Sequence, residues 1–230
     1  GEFVEWTDAQ VHVLTHAMHY GSSVFEGQRA YNGKIFKLEE HTDRLFASAD
    51  ILGMKITQTK QEVNDACNKL LEINNLVDAY CRPAVWEWPS YFSPEARLKG
   101  LRLEISKWRR PAPDTIPTNA KAAGLYMICT LSKHAAEANG YDDSLMFDYR
   151  GQIAEATGAN IFFVKDGELH TPTPDCFLDG ITRRTVIDLA KKRGINVIER
   201  AIMPEEMADF EQAFLTGTAA EVTPLAEIGD

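Results

Sequence analysis

Apolar residues recur along this chain with two periods, and the change from one to the other predicts a mixed α/β protein. In residues 39–52, Leu45, Phe46, Ala49 and Leu52 share one helical face, and in 60–74, Val63, Ala66, Cys67, Leu70 and Leu71 do the same. Both segments read as amphipathic helices. Residues 24–31 and 34–38 are strand-like and flank Asn32-Gly33, the strongest two-residue hairpin signal. Residues 79–86 and 101–108 read as further strands. The region around Lys121 leads into a helix ending near Asn139, followed by strands at 144–149, 160–164 and 168–171. A helix at 181–193 is closed by Gly194, and 196–202 and 212–216 supply more strands.

Between these two halves, Pro89, Ser90, Pro94 and Gly100 mark a connector. The expected organisation is a small α/β domain at 1–88, a connector at 89–98 and a larger domain at 99–230. No internal repeat or low-complexity tract interrupts it.

Composition narrows the function. The chain has 230 residues, 44% of them hydrophobic and 25% charged, enough for a real core. Its formal net charge of −10 argues against a nucleic-acid binder or a protein held on anionic membranes, whose affinity comes from clustered Lys and Arg. Small-molecule chemistry is favoured instead. Cys67, Cys81, Cys129 and Cys176 are scattered and form no C-x-x-C pair, which suits a reducing cytoplasm better than a disulfide scaffold or zinc ribbon. No apolar run reaches the roughly 20 residues of a membrane span, and the N-terminus lacks signal-peptide character. Gly1-Glu2-Phe3-Val4-Glu5 reads as entry into a strand already under way, so earlier residues are expected to be missing.

Several segments could carry chemistry. Lys121 lies among Ala120, Ala122, Ala123 and Gly124, small residues that leave room for a ligand, although a lone lysine is ordinarily a solvated surface group. Gly180 stands just ahead of a well-patterned helix whose free N–H groups suit an anion, unless Asp179 or Thr182 caps them. Thr216-Gly217-Thr218-Ala219-Ala220-Glu221 could form a second anion nest or a plain turn. Glu155, in Gly151-Gln152-Ile153-Ala154-Glu155-Ala156-Thr157-Gly158-Ala159-Asn160, is a single carboxylate among small and uncharged residues, suited to pairing with a ring nitrogen if it is not an exposed loop residue. His12, His16 and His19 mimic a metal triad, but no acidic partner recurs at ligand spacing, so ordinary polar roles are preferred and no metal is expected.

Four ordered motifs bring these segments together: His19-Tyr20-Gly21-Ser22-Ser23-Val24-Phe25-Glu26-Gly27; Thr115-Ile116-Pro117-Thr118 leading to Lys121; Gly180-Ile181-Thr182-Arg183; and Gly217-Thr218-Ala219-Ala220-Glu221-Val222-Thr223-Pro224. Together they resemble the branched-chain amino acid aminotransferases, fold-type IV pyridoxal-phosphate enzymes, over nearly the whole chain. The resemblance implies a two-domain α/β (α+β) fold, with a barrel-like sheet in the larger C-terminal domain and the cofactor at the domain interface. Lys121 would be the Schiff-base anchor and then the proton shuttle, Glu155 would pair with the pyridine nitrogen, and Tyr126 would face the phenolic oxygen. Arg44, Ile181, Thr182 and Thr218 would hold the phosphate, and Leu178 would pack on the ring. Tyr20, Phe25, Tyr80, Arg82 and Tyr91, with the Ala219 and Ala220 amides, would form the substrate pocket.

By the same resemblance the enzyme moves the amino group of L-leucine, L-isoleucine or L-valine to 2-oxoglutarate, as a homodimer or a trimer of dimers. Alternatives on the same fold are a D-amino acid or (R)-amine transaminase and the aminodeoxychorismate lyase. Tyr80-Cys81-Arg82-Pro83 favours the branched-chain enzymes. The pattern departs from the family in two places: members carry a loop and a further strand between the equivalents of Trp86 and Glu87, and they continue past Gly229-Asp230. The first departure bears on the substrate pocket and spares the cofactor residues.

Overall fold

The computed structural model describes residues 2–86 and 99–229, so the expected connector and Tyr91 lie outside the described residues. The chain divides into two compact units, Gly1–Pro89 and Ser90–Asp230.

In the first unit, helix α1 (His16–Tyr20) ends at Gly21, whose φ of 63° lets the backbone turn left-handed into strand β1 (Ser23–Phe25). Strands β2 (Gln28–Tyr31) and β3 (Lys34–Ile35) form the expected hairpin, with Asn32 and Gly33 both at positive φ. Helices α2 (Leu38–Ile51) and α3 (Lys60–Ile73) follow, the second opened by a reciprocal capping box between Thr59 and Glu62. Cys67 and Leu71 from α3 pack with Ala30 and Ile35. Ala66 and Leu70, expected on the same face, are exposed, so the apolar stripe of α3 is narrower than its sequence suggests.

Two expected strands are each divided. Residues 79–86 become β4 (Ala79–Cys81), paired with β2, and β5 (Ala84–Trp86), paired with β1. The break falls at Arg82-Pro83, where proline supplies no ladder N–H and its carbonyl accepts from Glu26 N–H at 3.0 Å. Residues 24–31 break opposite, at Glu26-Gly27. The result is a three-stranded sheet β3-β2-β4 and a two-stranded ribbon β1-β5.

The second unit is built on β6 (Leu101–Arg110), β7 (Asp143–Asp148), β8 (Ile153–Ala156), β9 (Asn160–Lys165), β10 (Glu168–Pro172), β11 (Val197–Arg200), β12 (Gln212–Gly217) and β13 (Glu221–Ile228). They form one eight-stranded sheet in the order β11-β10-β9-β12-β13-β6-β7-β8. Helix α4 (Met127–Ala138) crosses between the parallel strands β6 and β7, and α5 (Ile181–Lys192) between the parallel strands β10 and β11. The sheet curls, as a barrel-like architecture requires. Its edge strand β8 turns straight into β9, and Ile153 N–H bonds the Ile202 carbonyl just beyond β11 at 2.9 Å. Leu101, Leu103, Leu145, Ile161, Phe163 and Leu215 fill the curve.

Strands β8 and β13 go beyond the elements expected from periodicity. The first is four residues long and includes a glutamate. The second carries Pro224 opposite Phe214 and shifts register between Leu225 and Glu227, which breaks its alternation.

Candidate active site

The chemistry-bearing residues of the second unit converge on Glu155. Strand β8 is buried along its whole length, so Glu155 is only 8% exposed. It is therefore no surface loop glutamate. Burial pushes its pKa up to about 8, while the positive charges of Arg110 and Lys121 pull the other way. Arg110 is itself 4% exposed, and its Nε lies 3.5 Å from Glu155 Oε1 with no hydrogen-bond partner. Its Nη1 donates to the Leu125 carbonyl at 3.3 Å and to Cys129 Sγ at 3.0 Å. Sequence reading missed Arg110: strict alternation from Leu101 and Leu103 places it outside, but a register shift between Ile105 and Arg109 turns it inward.

Lys121 follows a turn closed by Ala120 N–H on the Pro117 carbonyl at 3.0 Å and precedes a 3₁₀ turn at Ala123–Leu125. Its side chain is exposed, and Nζ donates to Tyr126 Oη at 3.0 Å. Two of the residues singled out in the sequence thus lie in direct contact.

Helix α5 follows Gly180, which has no side chain with which to cap its first turn. Asp179, a candidate cap, bonds instead to Arg183 Nη1 at 2.9 Å. Arg183 is 1% exposed and also reaches the Pro172 carbonyl and Glu199, at 3.0 Å and 2.8 Å, fixing the base of the helix to β10 and β11. The N–H groups of Ile181 and Thr182 are thus left without a side-chain cap at the helix start. Thr218 and Ala219 are exposed in the turn between β12 and β13, and Ala220 is buried. Just before this turn, Thr216 Oγ1 is buried without a partner.

Asn160 joins these parts. Its Nδ2 donates to Glu155 Oε2 at 3.1 Å and to the Leu178 carbonyl at 2.9 Å, and its Oδ1 accepts from Gly180 N–H at 3.1 Å. In the sequence it closes the segment that carries Glu155, with nothing to mark a role. No single-residue signal would have found it, because its partners lie on three separate segments.

In the first unit, Phe25, Tyr80 and Arg82 form one cluster. Arg82 Nη2 donates to Tyr80 Oη at 2.8 Å, and its guanidinium lies 4.7 Å from the Phe25 ring centroid and 5.2 Å from that of Tyr80. Gly27 lies directly beneath the Tyr80 ring, and a Cβ there would push the Tyr80 hydroxyl aside. Tyr20 packs on His16, with ring centroids 4.5 Å apart. The other two histidines of the apparent triad also turn to local partners: His12 Nδ1 accepts from Leu14 N–H at 3.1 Å, and His19 Nε2 contacts the Val13 carbonyl at 2.7 Å. Asp148, Asp175 and Cys176 converge elsewhere, but Arg150 binds both carboxylates.

Arg44, on α2, is held by Glu26, which is 3% exposed and also meets His41 Nδ1 at 2.7 Å. Arg44 donates through Nε and, at 2.7 Å, through Nη2. These bonds, the arginine's first, outweigh burial and bring the Glu26 pKa from 4.5 down to about 2. A depressed carboxylate contributes stability above its unfolded pKa and loses it as pH falls through the folded one. Glu26→Gln is therefore expected to destabilise the protein at pH 7 by about 2 kcal/mol, limited by the solvent exposure of Arg44. Urea melts should show that difference shrinking as the pH falls toward about 2.

Residues 23–228 match the profile of the family described as amino-transferase class IV. The chain belongs to that family. Among curated relatives, the aminotransferase is 45% identical to a probable branched-chain-amino-acid aminotransferase of Rickettsia bellii, covering 99% of this chain and 85% of the relative. It is 40% identical to the branched-chain-amino-acid aminotransferase of Pseudomonas aeruginosa, over 99% and 83%. Among solved structures, the branched-chain amino acid aminotransferase of Escherichia coli matches with a TM-score of 0.60 and 39% identity, covering 99% of this chain and 84% of that one. An aminotransferase from Brucella abortus bound to the cofactor PLP matches with a TM-score of 0.56 and 29% identity, over 96% and 86%.

Proposed function

We propose that this aminotransferase uses pyridoxal phosphate to move the amino group of branched-chain L-amino acids to 2-oxoglutarate. The observation that carries the reading is the Lys121, Tyr126 and Glu155 grouping in a chain similar along its length to enzymes named for that activity. The residues fit the cofactor. A buried carboxylate with a raised pKa suits a protonated ring nitrogen, the uncapped start of α5 suits a phosphate, and the orphaned Thr216 hydroxyl lies beside the Thr218 turn.

When bound, pyridoxal phosphate supplies an electron sink for the negative charge that develops at the substrate α-carbon. Lys121 Nζ would hold it covalently and, when free as an amine, would take up the proton at the substrate α-carbon, with Tyr126 Oη orienting that amine. Glu155 would pair with the ring nitrogen and keep it protonated. Ile181, Thr182 and Thr218 would hold the phosphate and Leu178 would pack on the ring, and the resemblance assigns Arg44, here paired with Glu26, to the phosphate as well. Phe25 offers an apolar wall while Arg82 and Tyr80 offer donors, so one pocket takes a branched side chain and then the carboxylate of glutamate. The resemblance assigns Tyr20, Tyr91 and the amides of Ala219 and Ala220 to the substrate as well. In the same reading the enzyme works in the cytoplasm as a homodimer or a trimer of dimers. Phe25, Tyr80 and Trp86, each about half exposed, suit burial against another copy. No described helix is long and apolar enough to cross a membrane.

The absorbance spectrum of the purified protein tests this reading. A visible band is expected that L-leucine bleaches in the absence of an amino acceptor and 2-oxoglutarate restores. Bleaching by D-alanine but not L-leucine would move the assignment to the D-amino acid transaminases, and a colourless protein that takes up no pyridoxal phosphate would refute it.

A further inference from the structure

We propose that Asn160 is a positioning residue that sets the ring-nitrogen partner and the phosphate anchor at a fixed separation, so that one rigid ligand can reach both. The inference rests on the roles proposed for Glu155 and the start of α5. Asn160 is 4% exposed at the head of β9, where its neighbours leave it one arrangement. Both donors of Nδ2 go to acceptors, Glu155 Oε2 and the Leu178 carbonyl, and Oδ1 faces a donor, Gly180 N–H. Flipping the amide would set its oxygen against two oxygens and its NH₂ against an N–H, so the network itself fixes the orientation.

A single planar amide thus spans the carboxylate on β8, the residue assigned to the ring face and the residue that opens the anion-binding helix. Its backbone adds a fourth tie. Asn160 stands opposite Thr216 in the β9–β12 ladder, and Thr216 leads into the turn that carries Thr218. Gly180 belongs to the same device, because a side chain there would collide with Asn160 Oδ1. Aspartate would be nearly isosteric yet unsuited, since it would place a second carboxylate against Glu155 and a bare oxygen against the Leu178 carbonyl.

The test measures binding of pyridoxine 5′-phosphate to the cofactor-free full chain by calorimetry. This probe carries the ring nitrogen and the phosphate but no aldehyde, so covalent capture by Lys121 plays no part. Asn160→Ala and Asn160→Asp are both expected to bind it roughly ten- to a hundredfold more weakly than wild type, the effect of losing a hydrogen bond to a charged group. In a Glu155→Ala background the Asn160→Ala penalty should shrink to less than about threefold, because the coupled partner is gone. Unchanged affinity in both variants overturns the proposal. An equal loss with and without Glu155 overturns it too, leaving Asn160 a packing residue. Circular dichroism and thermal melts accompany each variant, and failure of both single variants to fold would assign Asn160 to the fold instead. If wild type binds neither pyridoxine 5′-phosphate nor pyridoxal phosphate, the underlying cofactor reading itself fails, an outcome distinct from the others.

Discussion

Alanine in place of Lys121 is expected to abolish the visible band and to lower transamination at least about a thousandfold, while leaving the protein as stable as before. The two halves of this expectation have separate causes. Lys121 is exposed, and its Nζ donates to Tyr126 Oη at 3.0 Å on that open face, so little packing is lost. Its chemical role, by contrast, has no substitute: among the described residues it is the lysine whose charge acts on Glu155. The loss should be confined to the proton transfer and the covalent anchor. Small primary amines in the buffer are therefore expected to restore part of the rate, since they can carry the proton that Nζ carried. Removing the ammonium should also raise the pKa of Glu155 further, because Lys121 is one of the two positive charges that favour its ionised form. A variant that loses activity together with its thermal transition would point to a structural lysine and contradict this assignment.

What could be read in advance follows a physical division. Local signals were sufficient for the Asn32-Gly33 hairpin, the capped helix α3 and the helix after Gly180, because turn chemistry and periodicity act over a few residues. Lys121 and Tyr126 stand five residues apart, and the family resemblance assigned both to one cofactor; the structure brings Nζ to Oη. The failures lie where tertiary pairing overrides local pattern. Residues 79–86 look continuous, yet Pro83 splits them between two sheets. Strand β8 is too short to advertise itself, so the burial of Glu155 emerges only once β7 lies beside it. Arg110 faces inward through a bulge that strict alternation cannot anticipate. Asn160 and Glu26 were visible as letters, but their roles depend on partners from separate elements. The resemblance supplied the cofactor-binding assignments. The burial, hydrogen bonds and charge environment that give those residues their chemistry came from the fold.

Glu155→Gln is expected to act in opposite directions on stability and on activity. In the unfolded chain a glutamate titrates near 4.5, whereas in the folded protein burial holds it protonated up to about pH 8. Below the first value both states carry the proton and the residue contributes no pH dependence. Between the two, the unfolded state ionises while the folded state does not, so stability falls as pH rises, and above about pH 8 the loss is complete. Glutamine does not titrate. The cofactor-free variant should therefore match wild type near pH 4.5 and exceed it by about 4 kcal/mol at pH 8, which urea melts at the two pH values can measure. Arg110 does not cancel this gain, because over most of the interval it faces an uncharged partner in both proteins. With pyridoxal phosphate bound the order should reverse: the wild-type carboxylate gains a cationic ring nitrogen as its partner, and the amide holds that proton poorly. Transamination by the variant should drop at least about a hundredfold, as expected when a preorganised charge partner is removed from a water-poor site. Equal stability of the two cofactor-free proteins at pH 8 would mean that Glu155 is ionised there without the ring. The carboxylate would then be poised in advance by Arg110 and Asn160, with no need of the cofactor to hold its charge.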